Sequence, residues 1–200
     1  MNKIDLSPEN AECWLSEKFI PEAVAQSYLD SLMAEVSWRQ DEIFMFGRWV
    51  KIPRLQNFMA DPGINYTYSR LKMEADDWHP AVCQIKELIE KHSGQHFNAA
   101  LLNLYRDGND SMGWHRDNEP ELGPNPIVAS ISLGAERRFL LRHKQLKDNL
   151  KEINLSSGSL LWMGSGVQQS WEHSLPKTKR CQSPRINITF RQILSEDHSS

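Results

Sequence analysis

Along the chain, apolar residues recur at helical spacing in two stretches. Over residues 21–36 they are Leu29, Leu32, Met33 and Val36, and Pro21 suits the first turn of a helix. Over residues 80–92 they are Val82, Ile85, Leu88 and Ile89, with Gly94 placed to close the C-terminus. The remainder breaks into short runs suited to strands, at 43–50, 97–105, 127–133, 138–142, 159–163 and 185–193. Turn signals separate them, among them Asp61-Pro62-Gly63, Asp107-Gly108-Asn109 and Ser156-Ser157-Gly158. Two helices followed by many short strands predict an α+β fold, with helices bracing a sandwich or barrel of strands.

Composition agrees with that picture. A chain of 200 residues suits one domain, and 40% hydrophobic with 24% charged residues is the balance of a globular protein. No apolar run approaches the roughly 20 residues that span a bilayer, so no membrane partner is expected. The first 15 residues carry Asp5, Glu9 and Glu12 and no continuous apolar stretch, so no secretory leader is expected. Cys13, Cys83 and Cys181 are scattered and form no CxxC, which suits reduced thiols inside a cell. The net charge of -3 is not that of a strongly basic nucleic-acid binder. Charge is nevertheless uneven. Arg137, Arg138, Arg142, His143, Lys144 and Lys147 form one basic cluster, and Lys177, Lys179 and Arg180 another. Either could face phosphates or simply be solvated.

Two constellations carry chemistry. The first is His115-Arg116-Asp117, a His-x-Asp that on a strand would present both side chains to one face. With His173, 56 residues after Asp117, it would make a triad of two histidines and one carboxylate. Such a triad on one face of an ion leaves positions open for oxygen and a cosubstrate. A zinc hydrolase could use similar ligands. The second is Arg185-Ile186-Asn187-Ile188-Thr189-Phe190-Arg191, which alternates strictly. Its polar face could simply meet solvent, as on many antiparallel strands. Inside a barrel, the same face would offer two guanidiniums to a dicarboxylate through charge-assisted hydrogen bonds. The arginines stand about 20 Å apart along a straight strand, so the arms must lean inward or the strand must bend.

Taken in order, Asn103-Leu104-Tyr105, His115-x-Asp117, His173 and Arg185-(five residues)-Arg191 resemble the pattern of the AlkB family of iron(II)- and 2-oxoglutarate-dependent dioxygenases. The likeness is closest to the animal DNA-repair homologues and their bacterial relatives. It is densest over residues 97–192 and thins back to residue 43. Residues 132–139 look like the strand pair between the iron ligands of that family. The resemblance implies a double-stranded β-helix (jelly-roll) core at 97–192 and a nucleotide-recognition region at 43–75. The segment 1–42 is then helical, and the whole chain is one domain. It implies that His115, Asp117 and His173 bind Fe(2+) and are the catalytic centre. It implies that Asn103, Tyr105, Arg185, Asn187 and Arg191 hold 2-oxoglutarate, with O2 as the further cosubstrate.

Residues 44–49 and 64–69 resemble the nucleotide-recognition elements of the nucleic-acid demethylases in the family. Tyr66 and Tyr68, at i and i+2, share a face and could stack on a flipped base opposite the His115 ring. Phe46, in a hairpin, could wedge into the space that base leaves. Cationic lesions of the 1-methyladenine and 3-methylcytosine type attract aromatic faces, and Glu119 is the candidate for an added carboxylate. Asn118 stands where close homologues tend to carry an acid, which bears on lesion preference. The expected activity is oxidative demethylation of such bases in DNA or RNA, with release of formaldehyde. The expected protein is an intracellular monomer, nuclear in a eukaryote and cytoplasmic in a bacterium. The rival readings are an oxygenase of the same core acting on a protein or small molecule, a metal-free binding module, and a zinc hydrolase.

Overall fold

The computed structural model describes residues 3–7, 11–45, 47–64, 66–68, 71–146 and 149–194, with the backbone alone at 45, 66–68 and 71–73. Its helices are α1 (Glu22–Glu35), α2 (Pro80–Ser93) and a single turn, α3 (Val167–Ser170). The strands run β1 (Ile4–Asp5), β2 (Cys13–Ser16), β3 (Glu42–Met45), β4 (Arg48–Lys51), β5 (Leu55–Ala60), β6 (Tyr66–Tyr68), β7 (Leu71–Met73) and β8 (Ala99–Tyr105). They continue as β9 (Met112–His115), β10 (Val128–Gly134), β11 (Arg137–His143), β12 (Leu150–Leu155), β13 (Leu160–Met163), β14 (Trp171–Leu175) and β15 (Arg185–Arg191). Among the described residues, no helix is long and apolar enough to cross a membrane.

The strands form a seven-stranded sheet, β1-β2-β13-β10-β15-β8-β5, and a four-stranded sheet, β12-β11-β14-β9. All named pairings are antiparallel. The outer face of the larger sheet packs on α1 and α2. Ala25, Leu29 and Leu32 from α1 and Val82, Ile85 and Ile89 from α2 meet Leu102, Ile131, Ile186, Ile188 and Phe190 in one core cluster. Fully burying side chains of this kind contributes about 1.5–3 kcal/mol each. The two sheets face one another across a second cluster, in which Leu15, Val128, Leu161 and Met163 of the larger sheet meet Phe139, Leu141 and Leu175 of the smaller. This is the expected α+β architecture, two opposed antiparallel sheets in a jelly-roll core braced by helices.

Pro80 opens α2, the His79 ring accepts a hydrogen bond from the Ala81 N–H, and Gly94 closes the helix at φ 72°. Four expectations change. The segment 1–42 is not helical throughout, because β2 pairs onto β13 and β1 onto β2, which extends the larger sheet before α1 begins. Leu88 is exposed, because the buried stripe of α2 is narrower than the apolar pattern. The run 43–50 is a hairpin, β3 paired with β4, with Gly47 at φ 77° between them. Strand β9 ends at His115, so Asp117 lies just beyond the strand rather than two residues along it.

Candidate active site

The alternation on β15 is realised with both faces buried. Ile186, Ile188 and Phe190 enter the helix-facing core. Arg185, Asn187, Thr189 and Arg191 line a cavity between the two sheets. Neighbouring β8 does the same: Leu102 and Leu104 face the helices, and Leu101, Asn103 and Tyr105 face the cavity. Register places Arg185 opposite Tyr105 and Asn187 opposite Asn103. The polar row on one strand therefore meets a polar row on the next, and the sheet presents a built polar floor instead of a solvated surface.

From the smaller sheet, β9 and β14 place His115 directly opposite His173. Their rings lie 4.2 Å apart, centroid to centroid, edge to face. Asp117 joins them, and one ligand atom from each of the three lies within 4.8 Å of the others. The side chain of Gln168, on α3, reaches across to accept the Asp117 N–H at 3.0 Å. This contact anchors the carboxylate where the strand no longer does. Asp117 and His173 are buried, and His115 is half-buried.

The protonation states suit ligation. Burial, reinforced by neighbouring His115, pushes His173 down to about 3. Burial also lowers His115, although Asp117 opposes the shift. Burial alone would raise the Asp117 carboxyl, but Arg191, His173 and His115 outweigh it and hold it below the usual carboxylate range. At neutral pH the site therefore holds two neutral imidazoles and one carboxylate. His115 Nδ1 lies 2.9 Å from the Gly113 carbonyl, which leaves its Nε2 for a metal. Asp117 commits Oδ2 to Arg191, at 2.8 Å, while Oδ1 is buried with no hydrogen-bond partner among the described residues. Two nitrogen donors and a buried carboxylate oxygen lacking a partner fit an iron(II) ion.

The two arginines lie at opposite ends of the cavity floor. Arg191 sits at the ligand end, its Nε and Nη2 both on Asp117. Arg185 sits at the other end, only 1% exposed. Its guanidinium donates from Nη2 to Ser132 Oγ at 2.9 Å and lies 5.4 Å from the centre of the Tyr105 ring. Nε and Nη1 of Arg185 are buried without hydrogen-bond partners among the described residues. Burial, with Arg137 nearby, pushes this guanidinium down to about 10, so it remains charged at neutral pH. The length of the strand is thus no obstacle, because the arginines address the two ends of the cavity rather than one point.

Asn187 lines the cavity, but its amide is engaged within the protein. Nδ2 donates to Ser130 Oγ and the Ile131 carbonyl, and Oδ1 accepts from Thr189. Asn103 Oδ1 accepts from Arg54 Nε and Gln56 Nε2. Arg54, Gln56, Ser130, Ser132 and Gln168 escape sequence reading. Thr189 alone carried a signal, since it shares the polar face of β15. Of the substrate candidates, Tyr66 and Tyr68 lie on one backbone face of β6, paired with β7. Glu119 is half-buried at the start of a short 3-10 turn, Pro120–Leu122. Phe46 lies outside the described residues.

Comparison with known proteins agrees with this geometry. Residues 12–191 match the family model described as the 2OG-Fe(II) oxygenase superfamily. The DNA oxidative demethylase ALKBH2 of Mus musculus is 39% identical over 160 residues, covering 76% of this chain and 67% of that protein. Its Homo sapiens counterpart is 40% identical over 157 residues, covering 75% of this chain and 60% of that protein. The alpha-ketoglutarate-dependent dioxygenase alkB homolog 3 of Bos taurus is 36% identical over 201 aligned residues, covering 96% and 70%. The solved structure of OsALKBH1 superposes with a TM-score of 0.63 at 16% identity, covering 90% of this chain and 97% of that one, a likeness of fold. With the family model spanning nearly the whole chain and the two histidines, the carboxylate and the buried arginines in one cavity, this chain belongs to the 2OG-Fe(II) oxygenase superfamily.

Proposed function

We propose that this protein oxidatively demethylates N-alkylated bases of the 1-methyladenine and 3-methylcytosine type in DNA, and in RNA where it meets it, with release of formaldehyde. The family brings iron(II), 2-oxoglutarate and O2 as its cofactor set. The observation that carries the reading is one cavity that joins a His-Asp-His donor set to a buried guanidinium with two idle donors. The similarity to ALKBH2 and alkB homolog 3 supports the nucleic-acid substrate.

In this reading His115, Asp117 and His173 hold the iron. When bound, iron(II) and 2-oxoglutarate turn O2 to hydroxylation of the N-alkyl carbon, with succinate and carbon dioxide formed and the adduct collapsing to formaldehyde and the repaired base. Arg185 takes the distal carboxylate of 2-oxoglutarate on one edge of its guanidinium, pairing an idle nitrogen with the second N–H of Nη2, with Tyr105 alongside. Arg191 fixes Asp117 and carries positive charge to the keto-acid end, and Asn103 and Asn187 line the channel between. Burial keeps both imidazoles neutral, so their lone pairs stay available across the neutral range. Tyr66, Tyr68 and Glu119 receive the extruded base, Phe46 wedges into the space it leaves, and the lesion's poor pairing lowers the few kcal/mol that flipping costs. Residues 1–200 act as one domain and as a monomer, inside the cell, in the nucleus of a eukaryote or the cytoplasm of a bacterium.

The test supplies anaerobically loaded protein with oxygen and an oligonucleotide carrying 1-methyladenine. Loss of one methylene from the oligonucleotide, dependent on 2-oxoglutarate, is expected. Succinate formation with every methylated DNA and RNA left intact would overturn the substrate assignment. Full turnover by His115→Ala or Asp117→Ala would overturn the ligand assignment.

A further inference from the structure

Asn103 faces the cavity from β8, and its side-chain amide can stand in either of two orientations. The Arg54 guanidinium decides between them, and Gln56 follows. Arg54 Nε lies 2.8 Å and Gln56 Nε2 3.1 Å from Asn103 Oδ1. Gln56 sits directly across the β5–β8 ladder from Asn103, and Arg54 arrives from the turn just before β5. A guanidinium has no acceptor to offer, so Oδ1 must be the atom that faces it. All three side chains are at least nine-tenths buried, at 5%, 2% and 5% exposure for Arg54, Gln56 and Asn103. Flipping the amide would leave the buried Arg54 guanidinium facing an NH2 group, and Gln56 would have to turn its own amide to follow.

We infer that Arg54 and Gln56 are positioning residues for the cosubstrate: they lock the Asn103 amide so that its NH2 group is the part offered to 2-oxoglutarate. This rests on the proposal that the cavity binds 2-oxoglutarate. It assigns a role to two residues that reach the cosubstrate only through a third. A bound dicarboxylate has acceptors alone to present to the cavity wall, so a donor held toward it strengthens binding and an acceptor held there weakens it. Lining the floor with an asparagine is therefore insufficient; the orientation has to be set from behind.

The test is a double-mutant cycle on 2-oxoglutarate binding, by calorimetry, with Mn(II)-loaded protein and oxygen excluded. Arg54→Met with Gln56→Leu is expected to weaken 2-oxoglutarate about tenfold, the value of one oriented hydrogen bond. In an Asn103→Ala background the same pair of substitutions is expected to change affinity less than about twofold. Mn(II) affinity, read by electron paramagnetic resonance, is expected not to fall, since losing the Arg54 charge near His115 can only favour a cation. A tenfold loss that persists in the Asn103→Ala background overturns the inference, since the two residues would then act independently of Asn103. A parallel fall in Mn(II) affinity overturns it too, by making the role a general structural one. Failure of the wild-type protein to bind 2-oxoglutarate would remove the proposed function and this inference together, which sets that outcome apart from the other two. Should the double variant not fold, each single substitution carries the same cycle.

Discussion

Replacing Arg185 with methionine is expected to leave the metal-free fold at least as stable as before while removing most of the affinity for 2-oxoglutarate. Arg185 is 1% exposed, and burial lowers its guanidinium well below the usual arginine range, to about 10. A base whose folded pKa is depressed destabilises the fold at every pH below that pKa, where it is charged in both states. The penalty is relieved only as the pH rises above about 10. The shift corresponds to about 3 kcal/mol at neutral pH. Against it stand the bond to Ser132 and the packing that an exchange to methionine gives up, about 1 kcal/mol each. Methionine has a similar reach and no charge to desolvate. The apo melting temperature should therefore hold or rise by about 2–4 °C, the equivalent of about 1 kcal/mol in a chain of this size. Binding goes the other way. One idle nitrogen together with the second N–H of Nη2 forms a guanidinium edge for two charge-assisted bonds to a carboxylate, about 3–5 kcal/mol together, or a hundredfold to several thousandfold in Kd. Thermal unfolding of the apo protein and calorimetric titration of the Mn(II) form read the two quantities separately. A melting temperature more than about 5 °C lower, with Kd within about threefold of wild type, would refute the reasoning. It would mean that Arg185 serves the fold and not an anion.

Other outcomes follow from the same geometry. Asp117→Asn should cost at least about a hundredfold in Mn(II) affinity, measured by electron paramagnetic resonance, because it removes the charged ligand and leaves Arg191 facing a neutral amide. Apo stability should fall as the pH drops through 6.5 and keep falling to about 3, where the folded His173 takes up its proton. The unfolded chain takes up protons on His115 and His173 near the ordinary value of 6.5, and the folded chain, with both pKa values lowered, does not. Stability is thus fully present above that value and lost as the pH falls, and thermal scans in which a His173→Asn variant keeps the whole wild-type slope would count against this. Burial pushes the Cys13 thiol up to about 12 and leaves it inaccessible, so Ellman's reagent at neutral pH should modify Cys83 and Cys181 in the native protein and Cys13 only after unfolding. Gly108→Ala should destabilise the protein by about 1–3 kcal/mol in denaturant titrations, since its new methyl group would run into the Thr178 carbonyl in a turn tied to the 176–183 loop.

The alternation on β15 is legible in the sequence, but the direction of its polar face is not. Strict alternation in residues 185–191 is equally the pattern of a strand with one wet face, and nothing within those seven residues separates the two cases. What separates them is the neighbouring strands. Asn103 and Tyr105 on β8, and Ser130 and Ser132 on β10, come into register beside Asn187, Arg185 and Thr189, so polar side chains meet polar side chains under a second sheet. That second sheet is also what brings His173 to His115. A third histidine 56 residues beyond Asp117 can be nominated from the sequence, but only the β9–β14 pairing makes it a neighbour. Asp117 shows the limit of local reasoning in the other direction. His-x-Asp suggests two ligands on one strand face, yet the strand stops at His115, and Gln168 together with Arg191 does the placing that strand geometry was expected to do. Arg54 and Gln56 were hidden for the same reason: their function lies in one oxygen atom of Asn103, and the β5–β8 register that joins them leaves no mark in residues 54–56. Positions that touch the ligand announce themselves by type and order, whereas positions that orient them are defined by pairing across strands, which only the fold supplies.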